Sequence, residues 1–396
     1  MDRKQLAAAL NNLVIFKNLR AEPLVSALSA LLSADEASAY PSICAVAREL
    51  YPRGEDLSSA VLCLACDDEN DYIKNLVAGR ETPAHTSQWA LRELEILSEA
   101  SSFSSAYFAE LFGLSEPVPG WEAEKRDFAE LYHAQVRNAA SRGYGMFAGN
   151  VVFTVSAEGE LVPVKNPDPQ RLGELCGYER ERESIILNTQ ALLNGLSANN
   201  VLLYGDAGTG KSSTVKAIAN EYAERGLRLI QVEKSLLHCL PALLDTLADN
   251  PLKFIIFIDD LSFAETDRDF TALKTILEGS VAARAKNTVV YATSNRRHLV
   301  RESNAERRGD DIHLGDTLEE SASLSARFGI VVTFTRPDRD EYLTLVKSIA
   351  QRNCLAITQK QLTEEAESYA LRAGGRSPRV AKQYIEYKTA MLQMEI

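Results

Sequence analysis

The residues with the clearest chemical meaning form a glycine-rich string that ends in a basic and a hydroxyl side chain. The string GDAGTGKS, from Gly205 to Ser212, fits the pattern G-x-x-x-x-G-K-[ST]. Glycines let backbone N–H groups curl around a phosphate, and the N-terminus of a following helix adds partial positive charge. Lys211 is expected to neutralise the β- and γ-phosphates, and the Ser212 hydroxyl to bind Mg²⁺. A chance glycine-rich turn is disfavoured by the apolar strand before the string and the helix after it.

Two adjacent carboxylates follow the apolar run FIIFI, about fifty residues further along the chain. Asp259 at the strand tip is expected to hold Mg²⁺, directly or through water. Asp260 is then placed to polarise an attacking water as a general base. N-capping of the next segment is the alternative role for Asp260. Its side chain is shorter than that of a glutamate, and the shorter reach changes the alignment of water, which leaves its catalytic strength open.

A second apolar run, VVYAT, leads into the polar segment SNRR. In a parallel sheet its carboxyl end would lie beside that of the FIIFI strand, at the edge where ligands collect. Asn295 is the first choice for a side chain that holds the attacking water, and Thr293 is the second. A turn-forming role for Asn295 is the alternative.

Two arginines further along could reach phosphate oxygens. Arg327, in LSARFG, could approach the nucleotide of a neighbouring subunit and stabilise transition-state charge. It could also be a surface residue of a helix that ends at Gly329. Arg379, in GGRSPRVA, could reach back to the nucleotide from the last helix. Arg376 is a less favoured substitute, and either could be a solvated base.

The elements that must position these residues alternate between helix and strand from about residue 172 onward, which predicts an α/β fold with a doubly wound parallel sheet. The runs VLL and FIIFI are continuously apolar, as in strands buried on both faces. We predict a mainly α-helical recognition or assembly domain at 1–149, whose last helical segment lies around 121–141. A β-hairpin and linker follow at 150–171, a nucleotide-binding core at 172–336 and an α-helical lid at 337–396.

Composition limits the classes of function. The 396 residues carry a net charge of −12, and no apolar stretch is long enough to span a membrane. The start of the chain resembles an amphipathic helix more than a signal peptide, so we expect a cytoplasmic protein without membrane insertion. The six cysteines fit a reducing compartment, and the CxxC of Cys63 and Cys66 is interpreted as core thiols rather than a metal site. The arginine-rich stretch 296–308 is either a contact for an anionic partner or a solvated loop, and it leaves nucleic acid as a weakly supported partner.

Together these motifs resemble the AAA+ ATPases, over roughly residues 172–394. The strings LCGYERERE, LSANNVLLYGDAGTGKSS, FIIFIDDLSF, LKTILEGS, YATSNRRHLV and LSARFGI resemble a bacterial AAA+ family catalogued only as an ATP-binding domain of unknown function. The resemblance implies an αβα core with a C-terminal helical lid. It also implies assembly into a ring or spiral of identical subunits, with a hexamer favoured.

The resemblance further implies ATP and Mg²⁺ as cofactors and a role for each motif residue. The phosphate loop would comprise Gly205, Asp206, Ala207, Gly208, Thr209, Gly210, Lys211, Ser212 and Ser213. Ser212 and Asp259 would bind the metal, while Asp260, Asn295, Arg327 and Arg379 would be the water-activating residue, first sensor, arginine finger and second sensor. Gly177 and Tyr178 would contribute to the adenine pocket.

The function that follows is hydrolysis of ATP at subunit interfaces, converted into conformational work or switching on an unidentified protein partner through the N-terminal domain. Two alternatives stay open. One is an ATP-gated scaffold or signalling switch with little turnover, and the other is a helicase-loader-like, nucleic-acid-associated ATPase.

Overall fold

The computed structural model describes residues 1–261, 273, 277, 286–295 and 327–394. The chain divides into two compact units, Met1–Gly149 and Asn150–Ile396, and each is described by itself below. The arginine-rich stretch 296–308, for which the sequence predicts a partner contact or a solvated loop, lies outside the described residues.

The first unit is built from helices, as the sequence predicts. Side chains of Asp2, Asp35, Asp56, Asn70, Ser104 and Asp127 accept hydrogen bonds from backbone N–H groups at the starts of six of these helices, which fixes where they begin. The helices are α1 (Arg3–Asn11), α2 (Pro23–Ser33), α3 (Glu36–Leu50), α4 (Leu57–Asp67), α5 (Asp71–Val77), α6 (Ala84–Ala100), α7 (Ser105–Leu111), α8 (Phe128–Val136) and α9 (Ala139–Arg142). They enclose one apolar core that includes Leu6, Leu28, Val46, Leu97 and Phe108.

The helix expected around 121–141 is shorter than predicted and divided in two. It begins only at Phe128, after the cap residue Asp127, and α8 ends at Val136. Trp121 precedes it in irregular backbone, where its indole N–H donates to the carbonyl oxygen of Phe103 at 3.0 Å. The tryptophan is buried by this tertiary contact, which helical periodicity alone did not reveal.

The second unit contains a seven-stranded sheet in the order β2-β1-β4-β5-β6-β3-β7. Its strands are β1 (Val152–Val155), β2 (Leu161–Pro163), β3 (Val201–Gly205), β4 (Leu227–Gln231), β5 (Lys253–Ile258), β6 (Thr288–Ser294) and β7 (Ile330–Phe334). All neighbouring strands are parallel except the β1–β2 hairpin. The hairpin does not stand apart as a linker, because β1 pairs with β4 and extends the sheet.

The central strands are buried along nearly their whole length. Every residue of β6 is buried, and so is every residue of β5 after Lys253. Burial on both faces explains why these strands are apolar runs without alternation. Because β5, β6 and β3 are adjacent and parallel, the segments that follow Ile258, Ser294 and Gly205 emerge at the same edge of the sheet.

Helices flank the sheet, and three more form a small bundle after it. In the part of the chain that the structure describes, those before the bundle include α10 (Glu179–Leu193), α11 (Lys211–Glu221) and α12 (Leu240–Leu247), and the bundle consists of α13 (Arg339–Arg352), α14 (Gln359–Arg372) and α15 (Pro378–Met394). The bundle has its own apolar core, which includes Tyr342, Val346, Ala366 and Tyr384. The predicted fold class, an αβα core with a parallel sheet and a C-terminal helical lid, is therefore confirmed. Within the described residues, no helix combines the length and apolar character of a membrane span.

Gly205 is the point where β3 becomes the glycine-rich loop, and no larger residue fits there. Its φ is +134°, and a Cβ added to it would lie 2.1 Å from the carbonyl oxygen of Phe334 on β7. Gly205→Ala is expected to lower the free energy of unfolding by about 2 kcal/mol or more, because backbone must move to admit the methyl group. Thermal and urea unfolding of the full chain measure this loss.

The matched control is Gly173→Ala in the same unit, where no atom lies within 4 Å of the added Cβ and φ is not positive. It should leave the unfolding midpoint close to that of the wild type. An unchanged midpoint in Gly205→Ala would contradict the close approach of β3 and β7 described here.

Candidate nucleotide-binding site

The glycine-rich loop connects β3 to α11 and places Lys211 at the first position of that helix. Lys211 is buried, with only 6% of its surface exposed. Its ammonium group donates hydrogen bonds to the carbonyl oxygens of Gly205 and Asp206, both at 2.8 Å, and to Asn295 Oδ1 at 2.9 Å. The structure therefore joins the predicted phosphate-loop lysine to the predicted first sensor.

The electrostatic environment of Lys211 suits an anionic ligand. Burial lowers the pKa of Lys211, and the carboxylates of Asp206, Asp260 and Asp259 act in the opposite direction, whereas Arg379 lowers the pKa further. A phosphate beside the ammonium group would favour its charged form.

Ser212 and Asp259 are in direct contact. The Ser212 hydroxyl donates to Asp259 Oδ1 at 2.6 Å. Two oxygen atoms that could bind a metal, one from α11 and one from the residue after β5, therefore lie next to each other. Mg²⁺ prefers oxygen ligands and is commonly held by one or two protein groups plus phosphate oxygens and water. The described residues contain no group of three His, Cys, Asp or Glu side chains that could hold a metal without such additional ligands. The donor set therefore fits a magnesium ion that arrives with a nucleotide.

Asp260 and Asn295 form the second half of the cluster. Asp260 has a left-handed backbone, with φ of +52°, which is uncommon for a residue other than glycine. Its Oδ1 accepts a hydrogen bond from Asn295 Nδ2 at 2.8 Å. Asn295 thus contacts Lys211 through its oxygen and Asp260 through its nitrogen.

Thr293 contacts both acidic residues. Its hydroxyl donates to Asp259 Oδ1 at 2.5 Å and accepts from the backbone N–H of Asp260 at 2.9 Å. The sequence offered Thr293 only as a second choice for the role of Asn295. Its distinct contacts could not be inferred from the spacing, because they depend on the register of β6 against β5.

The start of the last lid helix contacts the glycine-rich loop. The backbone N–H of Arg379 donates to the carbonyl oxygen of Gly208 at 3.2 Å. A Cβ on Gly208, whose φ is +81°, would lie 3.1 Å from Ser377 Oγ. The Arg376 guanidinium is bound to Glu367 within the lid, with contacts at 3.1 and 2.8 Å. Of the two candidate arginines, Arg379 is the one that lines the cavity described next.

A cavity of about 670 Å³ opens over this cluster. It is within the size range of small-molecule and cofactor sites. The phosphate-loop residues 207–213 line it together with Asp259, Asp260, Thr293 and Asn295. Its remaining walls include the apolar side chains of Leu175, Ile349 and Ile385, and also Cys176 and Arg182.

Gly177 and Tyr178, predicted for the adenine pocket, are not among the residues that line this cavity. Gly177 has a φ of +71°, and an added Cβ would lie 2.6 Å from Leu345 Cδ2 of the lid. The Tyr178 ring stacks on Phe334 at 5.3 Å, and its hydroxyl donates to the carbonyl oxygen of Thr335 at 2.6 Å. The pocket wall is formed two residues earlier, by Leu175 and Cys176. Gly177 and Tyr178 instead join the core to the segment that leads into the lid.

Arg327 is half-buried and immediately precedes Phe328, Gly329 and strand β7. It is not among the residues that line the cavity of its own chain. Its role toward the nucleotide of a neighbouring subunit stays a prediction, since the structure describes a single chain.

Comparison with known proteins gives a family match. A family described as "Protein of unknown function (DUF815)" matches residues 148–392, which is more than half of the chain. The resemblance to a family catalogued as a domain of unknown function is thereby confirmed. No curated protein matches the chain.

Among solved structures, the chain is similar to the Thermotoga maritima RuvB Holliday junction branch migration motor. The identity is 18%, the match covers 57% of this chain and 66% of that one, and the TM-score is 0.40. A mutant of the Thermotoga maritima RuvB matches at 16% identity, covers 57% of this chain and 67% of that one, and has a TM-score of 0.41. The fold is defined by the order and direction of this chain's own strands and not by these two matches.

The different surroundings of Arg379 and Arg376 predict different consequences of their loss. Arg379→Ala is expected to weaken ATP binding about tenfold, because it removes a cation beside the phosphate loop, and to leave thermal stability nearly unchanged. Arg376→Ala is the matched control. It should lower the thermal midpoint through loss of the contacts with Glu367 while ATP affinity stays at the wild-type value. Calorimetric titration and thermal unfolding separate the two effects, and an equal loss of affinity in both variants would contradict these assignments.

Proposed function

The chain belongs to the DUF815 family, and we propose that it is an ATP hydrolase that uses Mg²⁺, works as an oligomer and converts hydrolysis into conformational work or switching. The observation that carries the proposal is the hydrogen-bonded cluster at the edge of the sheet. In it, Lys211, Asn295 and Asp260 form one connected chain of contacts, and Ser212 contacts Asp259. Two of these five side chains lie at the start of α11, and the other three follow the ends of β5 and β6, where a triphosphate on the glycine-rich loop would meet all of them.

Each side chain has a distinct task in the proposed reaction. The Lys211 ammonium would leave its present acceptors to neutralise β- and γ-phosphate oxygens. Ser212 and Asp259 would hold Mg²⁺, which supplies positive charge to the phosphate oxygens when it is bound. Asp260 would accept a proton from the attacking water, while the Asn295 amide helps to fix that water near the γ-phosphate.

A neighbouring subunit would complete the site. Arg327 does not line the cavity of its own chain, and it lies next to the edge strand β7. An arginine offered from that position to another protomer could stabilise the charge that develops on the transferred phosphoryl group. We therefore infer a ring or spiral in which each nucleotide lies between two copies of the chain, with six copies favoured.

The output of the cycle would reach a protein partner through the helical N-terminal unit. The six cysteines are all free thiols in the structure, which supports action in a reducing compartment such as the cytoplasm.

Lys211→Ala tests nucleotide binding. Loss of the ammonium group should weaken ATP binding by about a hundredfold, because a charge-assisted contact to phosphate is removed from a buried position. In the wild type, ATP with Mg²⁺ at a hundred times its Kd should stabilise the fold by about 2.7 kcal/mol, and at the same ATP concentration this gain should fall to about 0.4 kcal/mol in the variant. Lys216→Ala on the same helix is the control, since Lys216 does not line the cavity. Equal ATP-dependent stabilisation of both variants would refute the proposed site.

Arg327→Ala tests the shared site. The variant should bind ATP as the wild type does and lose turnover by about a thousandfold, the effect expected when an arginine finger is removed. Mixing it with Lys211→Ala should restore part of the activity, because one variant keeps the phosphate loop and the other keeps the arginine.

Turnover per subunit in the wild type should rise steeply with protein concentration as the oligomer assembles. Full turnover by Arg327→Ala alone would exclude a shared site. Tight ATP binding by the wild type with turnover near zero at every concentration would instead identify an ATP-gated switch.

A further inference from the structure

Thr293 is a buried residue whose hydroxyl contacts both acidic residues of the site, one through its carboxylate and the other through its backbone. It is 2% exposed and lies on β6, the strand next to β5. Its hydroxyl contacts both acidic residues, as a donor to Asp259 Oδ1 and as an acceptor for the Asp260 N–H. A buried hydroxyl requires hydrogen-bond partners, and both of the partners of Thr293 belong to the proposed catalytic cluster.

The backbone of Thr293 strengthens this arrangement. The parallel pairing of β5 with β6 ends at Ile258, which is opposite Ala292. The chain then turns through Asp259 and Asp260, and the N–H of Leu261 donates to the carbonyl oxygen of Thr293 at 2.7 Å. Thr293 therefore contacts each of the three residues that follow β5.

The backbone of this turn has an uncommon conformation. Asp260 adopts a left-handed conformation, with φ of +52°. Such a conformation persists in a non-glycine residue when surrounding contacts fix it. The hydroxyl of Thr293 provides one of these contacts at the Asp260 N–H, and the amide of Asn295 provides another at the carboxylate.

We propose that Thr293 is a positioning residue, whose hydroxyl directs the Asp259 carboxylate toward the Mg²⁺ position and, through the Asp260 N–H, fixes the backbone from which the Asp260 side chain projects. The inference rests on the proposed ATPase function. Thr293 itself acts through the two aspartates. Removal of its hydroxyl should therefore impair the steps that depend on Mg²⁺. The affinity of the phosphate loop for the nucleotide without Mg²⁺ should stay unchanged.

The test compares Thr293→Val, which keeps the shape and loses the hydroxyl, with Thr293→Ser, which keeps the hydroxyl. Affinity for a fluorescent ATP analogue is measured on the full chain in EDTA and across a Mg²⁺ titration, and kcat and KM are measured with ATP. In EDTA both variants should bind as the wild type does. Thr293→Val should require about tenfold more Mg²⁺ for half-maximal binding and lose about tenfold in kcat, as for other groups that orient metal ligands. Thr293→Ser should stay within about twofold of the wild type in both measurements.

Two outcomes would overturn the inference: wild-type Mg²⁺ dependence and kcat in Thr293→Val, or an equal impairment of both variants. If circular dichroism shows that Thr293→Val is unfolded, Thr293→Ala against Thr293→Ser decides the same question. If the wild type itself hydrolyses no ATP, the proposed function fails. The Mg²⁺ titration of nucleotide binding then still decides whether the hydroxyl orients Asp259, so the two failures can be told apart.

Discussion

The ammonium group of Lys211 is the contact on which the whole site depends. It is buried, and its hydrogen bonds go to two carbonyl oxygens of its own loop and to the side chain that follows β6. Burial of a cation is unfavourable unless it is hydrogen-bonded and compensated by negative charge. The loop carbonyls, the Asn295 amide oxygen and the nearby carboxylates satisfy this requirement before any ligand arrives. These contacts connect the glycine-rich loop to the end of β6, and Asn295 in turn connects the end of β6 to Asp260 after β5.

This arrangement has a consequence for the proposed reaction. Asn295 holds Lys211 with one end of its amide and Asp260 with the other. When a phosphate replaces Asn295 as the acceptor for the Lys211 ammonium group, the Asn295 amide oxygen loses its partner. The contact between Asn295 and Asp260 can then readjust. Binding of the triphosphate would then be coupled directly to the position of the catalytic carboxylate. Such coupling needs no distant rearrangement, because Asn295 is in direct contact with both Lys211 and Asp260.

The sequence predicted those parts of the site that depend on local spacing. The loop from Gly205 to Ser213 and the carboxylates after β5 follow from residue types at fixed intervals, next to apolar runs typical of buried strands. The parts that it could not predict arise between distant segments. Thr293 reaches the aspartates because of the register of β6 against β5, and Arg376 is bound to Glu367 because two lid helices meet. Leu175 and Cys176 line the cavity just before a turn in which Gly177 and Tyr178 both have positive φ values, and no simple motif encodes that turn.

The glycine-rich loop and the lid are joined at two separate places, which bears on how nucleotide binding could be transmitted. At one, the N–H of Arg379 on α15 donates to the carbonyl oxygen of Gly208. At the other, the Asp206 carboxylate accepts a hydrogen bond at 3.0 Å from the N–H of Arg336, in the segment that connects β7 to α13.

A ligand on the loop shifts the orientation of the lid only to the extent that its binding free energy differs between lid orientations. One contact is to loop backbone at Gly208 and the other to the side chain of Asp206, so both connect the lid or the segment leading into it to the loop that would hold a triphosphate. By the same linkage, anything that fixes the lid would alter nucleotide affinity, and the lid core around Tyr342 and Tyr384 would move as a unit because it is packed independently of the sheet.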